Sequence, residues 1–317
     1  MDRHTISTIT LAVVISSIDI GTNTILMATL DFAEDGSVRV LSDEHGIARL
    51  GKGVDASRRI LPETFDRVAG HLDRYREIAR SLGATTVVAF GTSVLRDAVN
   101  RQEFIDAMTE RTGIVLRVLE GNEEAVLTFR GALFGLAPFD GECAVLDIGG
   151  GSTELALGQP DGVVTQEASL DIGAVRITER FLLSAPPPVQ SLHDARRWAD
   201  KVVSGFFPIP PRARLIGVAG TVTTLGALSA RLEQFDADVL NGYRLTDATV
   251  TEWLDRLSTM SHDAIRALHA VHPDRADILL GGVVILDATM RRLGCQEITV
   301  STRGLRYGMA ARIHSEK

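Results

Sequence analysis

Two segments of one design sit far apart in the chain, Asp19-Ile20-Gly21-Thr22-Asn23-Thr24 and Asp147-Ile148-Gly149-Gly150-Gly151-Ser152-Thr153-Glu154. Ile15, Ile18 and Ile20 lead into the first, and Ala144, Val145 and Leu146 into the second, so both aspartates are expected at the ends of strands. Glycines let a backbone approach an anion closely and aim successive N–H groups at it, while small hydroxyl residues add donors without blocking entry. The aspartate cannot serve a phosphate directly. It can hold a divalent cation that bridges to phosphate oxygens, because hard metals favour carboxylate and water ligands. One Asp-x-Gly after a strand is commonly an ordinary turn. Two predict a pair of strand-loop units facing each other across a nucleotide or polyphosphate site.

The pattern between the loops supports duplication. Ile25 to Phe32 and Ser37 to Leu41 flank the turn Ala33-Glu34-Asp35-Gly36 and read as a hairpin. Leu61 to Leu82 has helical spacing, with Phe65, Val68, Leu72, Tyr75 and Ile78 on one face. Thr85 to Phe90 reads as a strand, followed by a turn at Gly91-Thr92-Ser93 and a helix from Asn100. Ile114 to Leu119 reads as a further strand and Glu123 to Phe134 as a helix. After Asp147 the theme returns: strands near Leu155 and Val164, helices from Ala174 and Ser191, and a last strand, Arg214 to Val218, running into Gly220-Thr221-Val222-Thr223-Thr224. Two related α/β halves are therefore expected. The boundary falls near Gly121, and the final helix, Leu305 to His314, returns to the first half. The proline clusters at Ala185–Pro188 and Pro208–Pro211 read as surface loops.

Composition narrows the function classes. At 317 residues the chain exceeds what one core usually supports. A net charge of -8 gives no global attraction to nucleic acid or anionic membrane, and 5% aromatic content argues against base-stacking surfaces. Any anionic substrate must be held by a local cationic pocket. The two cysteines, Cys143 and Cys295, have no C-x-x-C spacing, which excludes a disulfide framework and points to a reducing, cytoplasmic compartment. The apolar stretch from Ile9 to Ile20 imitates a secretory signal, but Ser16, Ser17 and Asp19 interrupt it and it runs straight into the first loop. No run approaches the roughly 20 apolar residues of a membrane span.

Seven segments together resemble one family. They are DIGTNT (19–24), GTSVLRDAVN (91–100), EGNEEA (120–125), DIGGGSTE (147–154), LDIGAVRITERF (170–181), AGTVTTL (219–225) and RADILLGG (275–282). In this order they are similar to the exopolyphosphatase/guanosine pentaphosphate phosphohydrolase (Ppx/GppA) family, across most of the chain. The resemblance implies the actin-like ATPase architecture of the sugar kinase/Hsp70/actin superfamily: an α/β fold of two ribonuclease H-like domains with a cleft between them. The implied domains are 1–122 plus 303–317, and 123–302, with no further C-terminal region. The implied activity is release of terminal orthophosphate from inorganic polyphosphate, preferentially short chains. Hydrolysis of guanosine pentaphosphate is the alternative, and a phosphotransferase of the same superfamily a more distant one. A homodimer is also implied.

The chemistry has definite needs: an in-line water, a group to activate it, and positive charge on the phosphoryl oxygens. By the resemblance, Glu124 is the catalytic glutamate. On a helix Glu123 points about 100° away, so only one of the pair can face a cleft. Asp19, Asp147 and Glu154 are the implied metal positions, for Mg²⁺ with Mn²⁺ as the alternative. Gly21, Thr22, Asn23, Thr24, Gly149, Gly150, Gly151, Ser152 and Thr153 form the phosphate cradle, with Arg96 as its cation. Arg176 and Arg303 are weaker candidates for lining the substrate path. Residues 220–224 match the loop that faces adenosine in nucleotide-binding relatives. The family often has Gly-Gly-Thr or Ser-Gly-Thr where this chain has Ala219-Gly220-Thr221, a difference that bears on base recognition.

Overall fold

The computed structural model describes residues 13–316. The start of the apolar stretch at Ile9 and the first twelve residues of the expected first domain lie outside them.

The first half is a five-stranded sheet of order β3-β2-β1-β4-β5, built from β1 (Val13–Ile20), β2 (Thr24–Phe32), β3 (Val38–Ile47), β4 (Thr86–Gly91) and β5 (Leu116–Val118). β1, β2 and β3 pair antiparallel, whereas β4 and β5 add in parallel. Helices α1 (Val54–Ser57) and α2 (Pro62–Ser81) precede β4, and α3 (Ser93–Asp97) and α4 (Arg101–Thr112) precede β5. Ile18, Ile20 and Met27 from the sheet meet Val68, Leu72 and Phe104 from the helices in one buried core.

Helix α5 (Gly121–Leu133) leads into a second sheet of order β10-β11-β9-β6-β7-β8. Its strands are β6 (Cys143–Ile148), β7 (Thr153–Gly158), β8 (Val164–Leu170), β9 (Arg214–Val218), β10 (Arg244–Thr246) and β11 (Glu297–Val300). Again the first three pair antiparallel and β9 and β11 add in parallel, so these five repeat the arrangement of β1 to β5, with β10 antiparallel at the edge. The intervening helices are α6 (Ala174–Phe181), α7 (Val189–Val203), α8 (Ala219–Ser229), α9 (Ala237–Leu240), α10 (Asp247–Ser258), α11 (His262–Arg266) and α12 (Leu279–Leu293). Duplication is thus a property of the topology as well as of the loops. α13 (Leu305–Ser315) closes the chain and packs Tyr307 and Ala310 on Ile15, Leu30 and Phe32 of the first sheet.

Several sequence expectations need correction. Arg214–Val218 is not the last strand, since β10 and β11 follow it. α12 escaped the periodicity argument because it is buried on nearly all sides, from Leu279 to Met290, and a helix without a polar face has no amphipathic signature. β3 extends to Ile47 beyond the expected Leu41, because residues 42–46 carry no apolar alternation and the strand continues there through backbone pairing with β2. The expected turn at Thr92-Ser93 is the entry to α3. Both proline clusters do lie outside helices and strands, and the last helix does return to the first half.

Two glycines fix how the halves meet. A Cβ on Gly131 of α5 would lie 1.9 Å from the Gly304 carbonyl oxygen, and one on Gly308 of α13 would lie 1.9 Å from that of Leu127. The two helices therefore cross backbone to backbone. Their seam positions the N-terminus of α5, which carries Glu124.

Candidate active site

A cleft of about 550 Å³ opens where the C-terminal ends of β1 and β6 face each other. Asp19, Gly21, Thr22, Asn23 and Thr24 line it from one side, and Asp147, Gly149, Gly150, Gly151 and Ser152 from the other, with Glu124 between them. Each loop is closed by the same turn: the Gly21 amide donates to the Thr24 carbonyl at 2.8 Å, and that of Gly149 to the Ser152 carbonyl at 3.0 Å. Glycine at Gly150 and Gly151 answers to the opposite loop. An added Cβ would come within 2.8 Å of the Thr22 side chain at Gly150 and 2.6 Å of the Ser93 hydroxyl at Gly151. The loops are in direct contact across the cleft, which is why the second one has no room for side chains.

Glu124 stands in the first turn of α5, where the unpaired amides favour negative charge. Behind it Arg96 donates to its carboxylate at 2.6 Å and to the Leu119 carbonyl at 2.8 Å. A second Arg96 nitrogen reaches the Ser152 hydroxyl at 3.4 Å and lies 3.8 Å from Glu154. Arg96 is not among the cavity-lining residues but stands directly behind two that are, Glu124 and Ser152. Glu154 is buried behind the loop and accepts from the Ser169 hydroxyl at 2.6 Å. Thr153 is fully buried, and its hydroxyl donates to the Ile172 carbonyl at 2.6 Å, which leaves it no donor for a phosphate. Glu123 points to the outer surface, paired with Arg117 and Arg312.

Four carboxyls share this small volume. Burial, followed by the charges of Glu124 and Asp147, pushes Asp19 well above the ordinary carboxylate range. Burial and then Glu124 raise Asp147 to about 7. Burial also raises Glu124, although Arg96 pulls it back, and Glu154 is raised by burial, Glu124 and Asp147. Such mutual repulsion calls for a cation. Among the described residues no three His, Cys, Asp or Glu side chains form a ready-made metal cage, so Asp19, Asp147 and Glu154 do not gather into one ligand set. Asp19 Oδ1 is nevertheless buried without any partner, and Asp19 and Asp147 both face the cavity. That donor set suits a Mg²⁺-like ion, which keeps waters and substrate phosphates and takes only one or two carboxylates.

Of three further arginines, one, Arg176, lies elsewhere than the sequence suggests. Arg176 is buried between the halves rather than along a substrate path. Arg303 rests on the Phe134 ring, 5.0 Å from its centroid, at the cavity wall. Arg306, which sequence reasoning missed, is buried beside Asp19 and grips Asp43 with two hydrogen bonds of 2.9 and 2.7 Å. No local motif marks it, because Asp43 lies 263 residues away. Residues 220–224 form the first turn of α8, entered through Ala219 at a φ of 65°. A residue with a Cβ is disfavoured at that φ.

Comparison with known proteins fits this geometry. Exopolyphosphatase 2 of Mycobacterium tuberculosis is 36% identical over 311 residues, which span 93% of this chain and 97% of that protein. The crystal structure of an exopolyphosphatase from Cytophaga hutchinsonii superposes with a TM-score of 0.85 at 26% identity, covering 96% of this chain and 98% of the other. An Aquifex aeolicus member of the Ppx/GppA family gives 0.81 at 26% identity, with 97% and 99% covered. The profile of the Ppx/GppA phosphatase family matches residues 31–316. With its duplicated sheets, facing phosphate loops and a glutamate between them, the chain belongs to the Ppx/GppA phosphatase family.

Proposed function

We propose that the protein is an exopolyphosphatase, which hydrolyses the terminal phosphoanhydride of inorganic polyphosphate and releases orthophosphate. The observation that carries this reading is Glu124, fixed by Arg96 at 2.6 Å and exposed to the cavity between two glycine loops. Main-chain amides of Gly150 and Gly151, with those of Thr22 and Asn23, cradle the terminal phosphate, the amides of Gly21 and Gly149 being spent in closing their loops. Closely packed loops admit little solvent, so a water held by Glu124 is the nucleophile within reach. Glu124 orients it in line and takes its proton as the phosphorus–oxygen bond forms. Arg96 holds the carboxylate in one rotamer, and Glu154 with Ser152 holds Arg96 in turn.

Asp19 and Asp147 are the residues that hold the divalent cation, Mg²⁺ by preference. When bound, that ion neutralises charge on the phosphoryl oxygens and relieves the repulsion among the carboxyls. Guanosine pentaphosphate is a second substrate reading, favoured by the apolar lining that Phe235, Val271 and Pro273 add to the cavity.

Phosphate release in Mg²⁺ from short polyphosphate, long polyphosphate, guanosine pentaphosphate and ATP, assayed in parallel with Glu124→Gln as the blank, tests the proposal. Release from polyphosphate that vanishes in the variant is expected. Turnover of guanosine pentaphosphate alone would move the function to the second reading, and silence on all four would overturn both.

A further inference from the structure

Arg176 opens α6 directly after the second phosphate loop, and every hydrogen-bonding edge of its guanidinium is engaged. Nε donates to the Gly151 carbonyl at 2.8 Å. One terminal nitrogen donates to Asp55 of α1 at 2.5 Å, and the other to Asp97 of α3 at 2.5 Å. The side chain is only 6% exposed. Both carboxylates belong to the first half of the molecule, 121 and 79 residues away in sequence. The backbone reinforces the same contact, since the amides of Ala174 and Val175 donate to the Gly149 and Gly150 carbonyls, both at 2.9 Å.

Each carboxylate is itself tied to the site. Asp97 follows Arg96, which holds Glu124. Asp55 lies just beyond Gly51, whose amide donates to the Thr22 carbonyl of the first phosphate loop at 2.7 Å. One turn along α6, Arg180 grips Asp55 with bonds of 2.6 and 2.8 Å, and Glu179 accepts from the Gly53 amide at 2.9 Å. On the other side Arg58 holds Asp97 at 3.0 Å. Buried charges in such a cluster are costly unless all are paired, and here each has a partner.

We infer that Arg176 is a positioning residue for hydrolysis, resting on the phosphate-releasing reading above. Its planar fork fastens the second phosphate loop to α1 and α3, and so sets the spacing between the two loops and the water held by Glu124. Lysine cannot substitute, because one ammonium lacks the fixed three-way geometry.

Arg176→Gln tests the inference by two readouts. In phosphate release from short polyphosphate, kcat falls about 100-fold while KM changes less than about threefold, the signature of misplaced groups with ligand contacts intact. Guanidinium ion added to the buffer restores part of the lost rate. Arg180→Gln, which loses its bonds to Asp55 and its stacking on Trp198 but no contact with the glycine loop, stays within about threefold of the parent. In hydrogen exchange without substrate, segments 53–57, 93–97 and 149–152 open faster in Arg176→Gln, while α2 and α12 keep the parental rate. Parental kcat together with parental exchange in these segments would overturn the inference. If the parent itself releases no phosphate from polyphosphate, the functional reading fails and the exchange pattern alone decides the fastening. Should Arg176→Gln not fold, Arg176→Lys carries the same two expectations in weaker form, and its parental behaviour in both would be equally fatal.

Discussion

The two halves share a sheet order and a loop turn, but they are chemically unequal. Asp19 and Asp147 occupy the same place on β1 and β6, yet the cross-strand neighbour of Asp19 is Leu26, whereas that of Asp147 is Glu154. The second half also receives Glu124, at the start of the helix that joins the halves. The first loop keeps Thr22 and Asn23, both buried, whereas the second is stripped to glycine at the equivalent level. A duplicated scaffold thus supplies two similar backbone turns, and the carboxyls are concentrated on one side. The lesson is that a phosphate cradle can be built twice, but an in-line attack needs only one water and one base.

The largest expected break of this asymmetry is Glu124→Gln. It keeps the shape of the second half and removes its base, so phosphate release should fall by about 10²–10⁴-fold while a radiolabelled polyphosphate still binds. Retained turnover would mean that the base lies in the other half. Next comes the pair of glycines that press on the loops from the segments after β3 and β8. A Cβ on Gly173 would lie 2.4 Å from backbone atoms of Gly150, whereas one on Gly51 would meet the Thr22 methyl at 2.1 Å, and a side chain can yield more easily than a main chain. Gly173→Ala should therefore cost about 100-fold in kcat and Gly51→Ala about tenfold or less. An equal loss in both would show the loops to be equally rigid.

The carboxyl cluster sharpens the comparison through pH. Asp147 is raised to about 7 from an unfolded value near 3.9, so between these limits the folded chain binds more protons than the unfolded one. Stability from this group is present at low pH and is lost as pH rises through about 7. In a chelating buffer the Tm should be lower at pH 8 than at pH 5.5, and Mg²⁺ should restore it at pH 8 far more than at pH 5.5. Asp147→Asn should flatten the difference. A Tm independent of pH in the parent protein would refute the crowding of charge on that side.

The smallest effect is expected at the strand ends beside the loops. β4 ends in Gly91, whereas β9 runs into Ala219, which sits at a φ of 65°. Ala219→Gly relieves that strain at some cost in chain entropy and should stabilise by about 0.5–1 kcal/mol in a denaturant titration. A destabilised variant would show that the Ala219 methyl packs productively.

Much of this was legible locally. Both loops, the aspartates at their strand ends and the Glu123-Glu124 pair lie in short segments whose meaning depends on neighbours a few residues away. The hairpin from Ile25, the long helix after Leu61 and the duplicated α/β theme followed from periods of two and 3.6 residues. What escaped was either buried all round, as α12, or polar with partners distant in sequence, as the far end of β3, where Asp43 meets Arg306 and Tyr307. Within the site, Thr153 looked like a further donor because its residue type suits a phosphate loop, and only the position of the Ile172 carbonyl shows its hydroxyl to be spent.

By itself the sequence determined the two glycine loops and the aspartates that open them, because glycine, aspartate and hydroxyl residues in those runs constrain the chain within a single turn, and the resemblance of seven segments pointed to the family and to Glu124. The tertiary structure alone decided where the charges go. Arg96 backs Glu124, Arg306 grips Asp43, and Arg176 bridges Asp55 and Asp97, pairs separated by 28, 263, 121 and 79 residues respectively. An arginine's role is set by the anion that meets it, and which anion that is depends on how two folded halves close on each other.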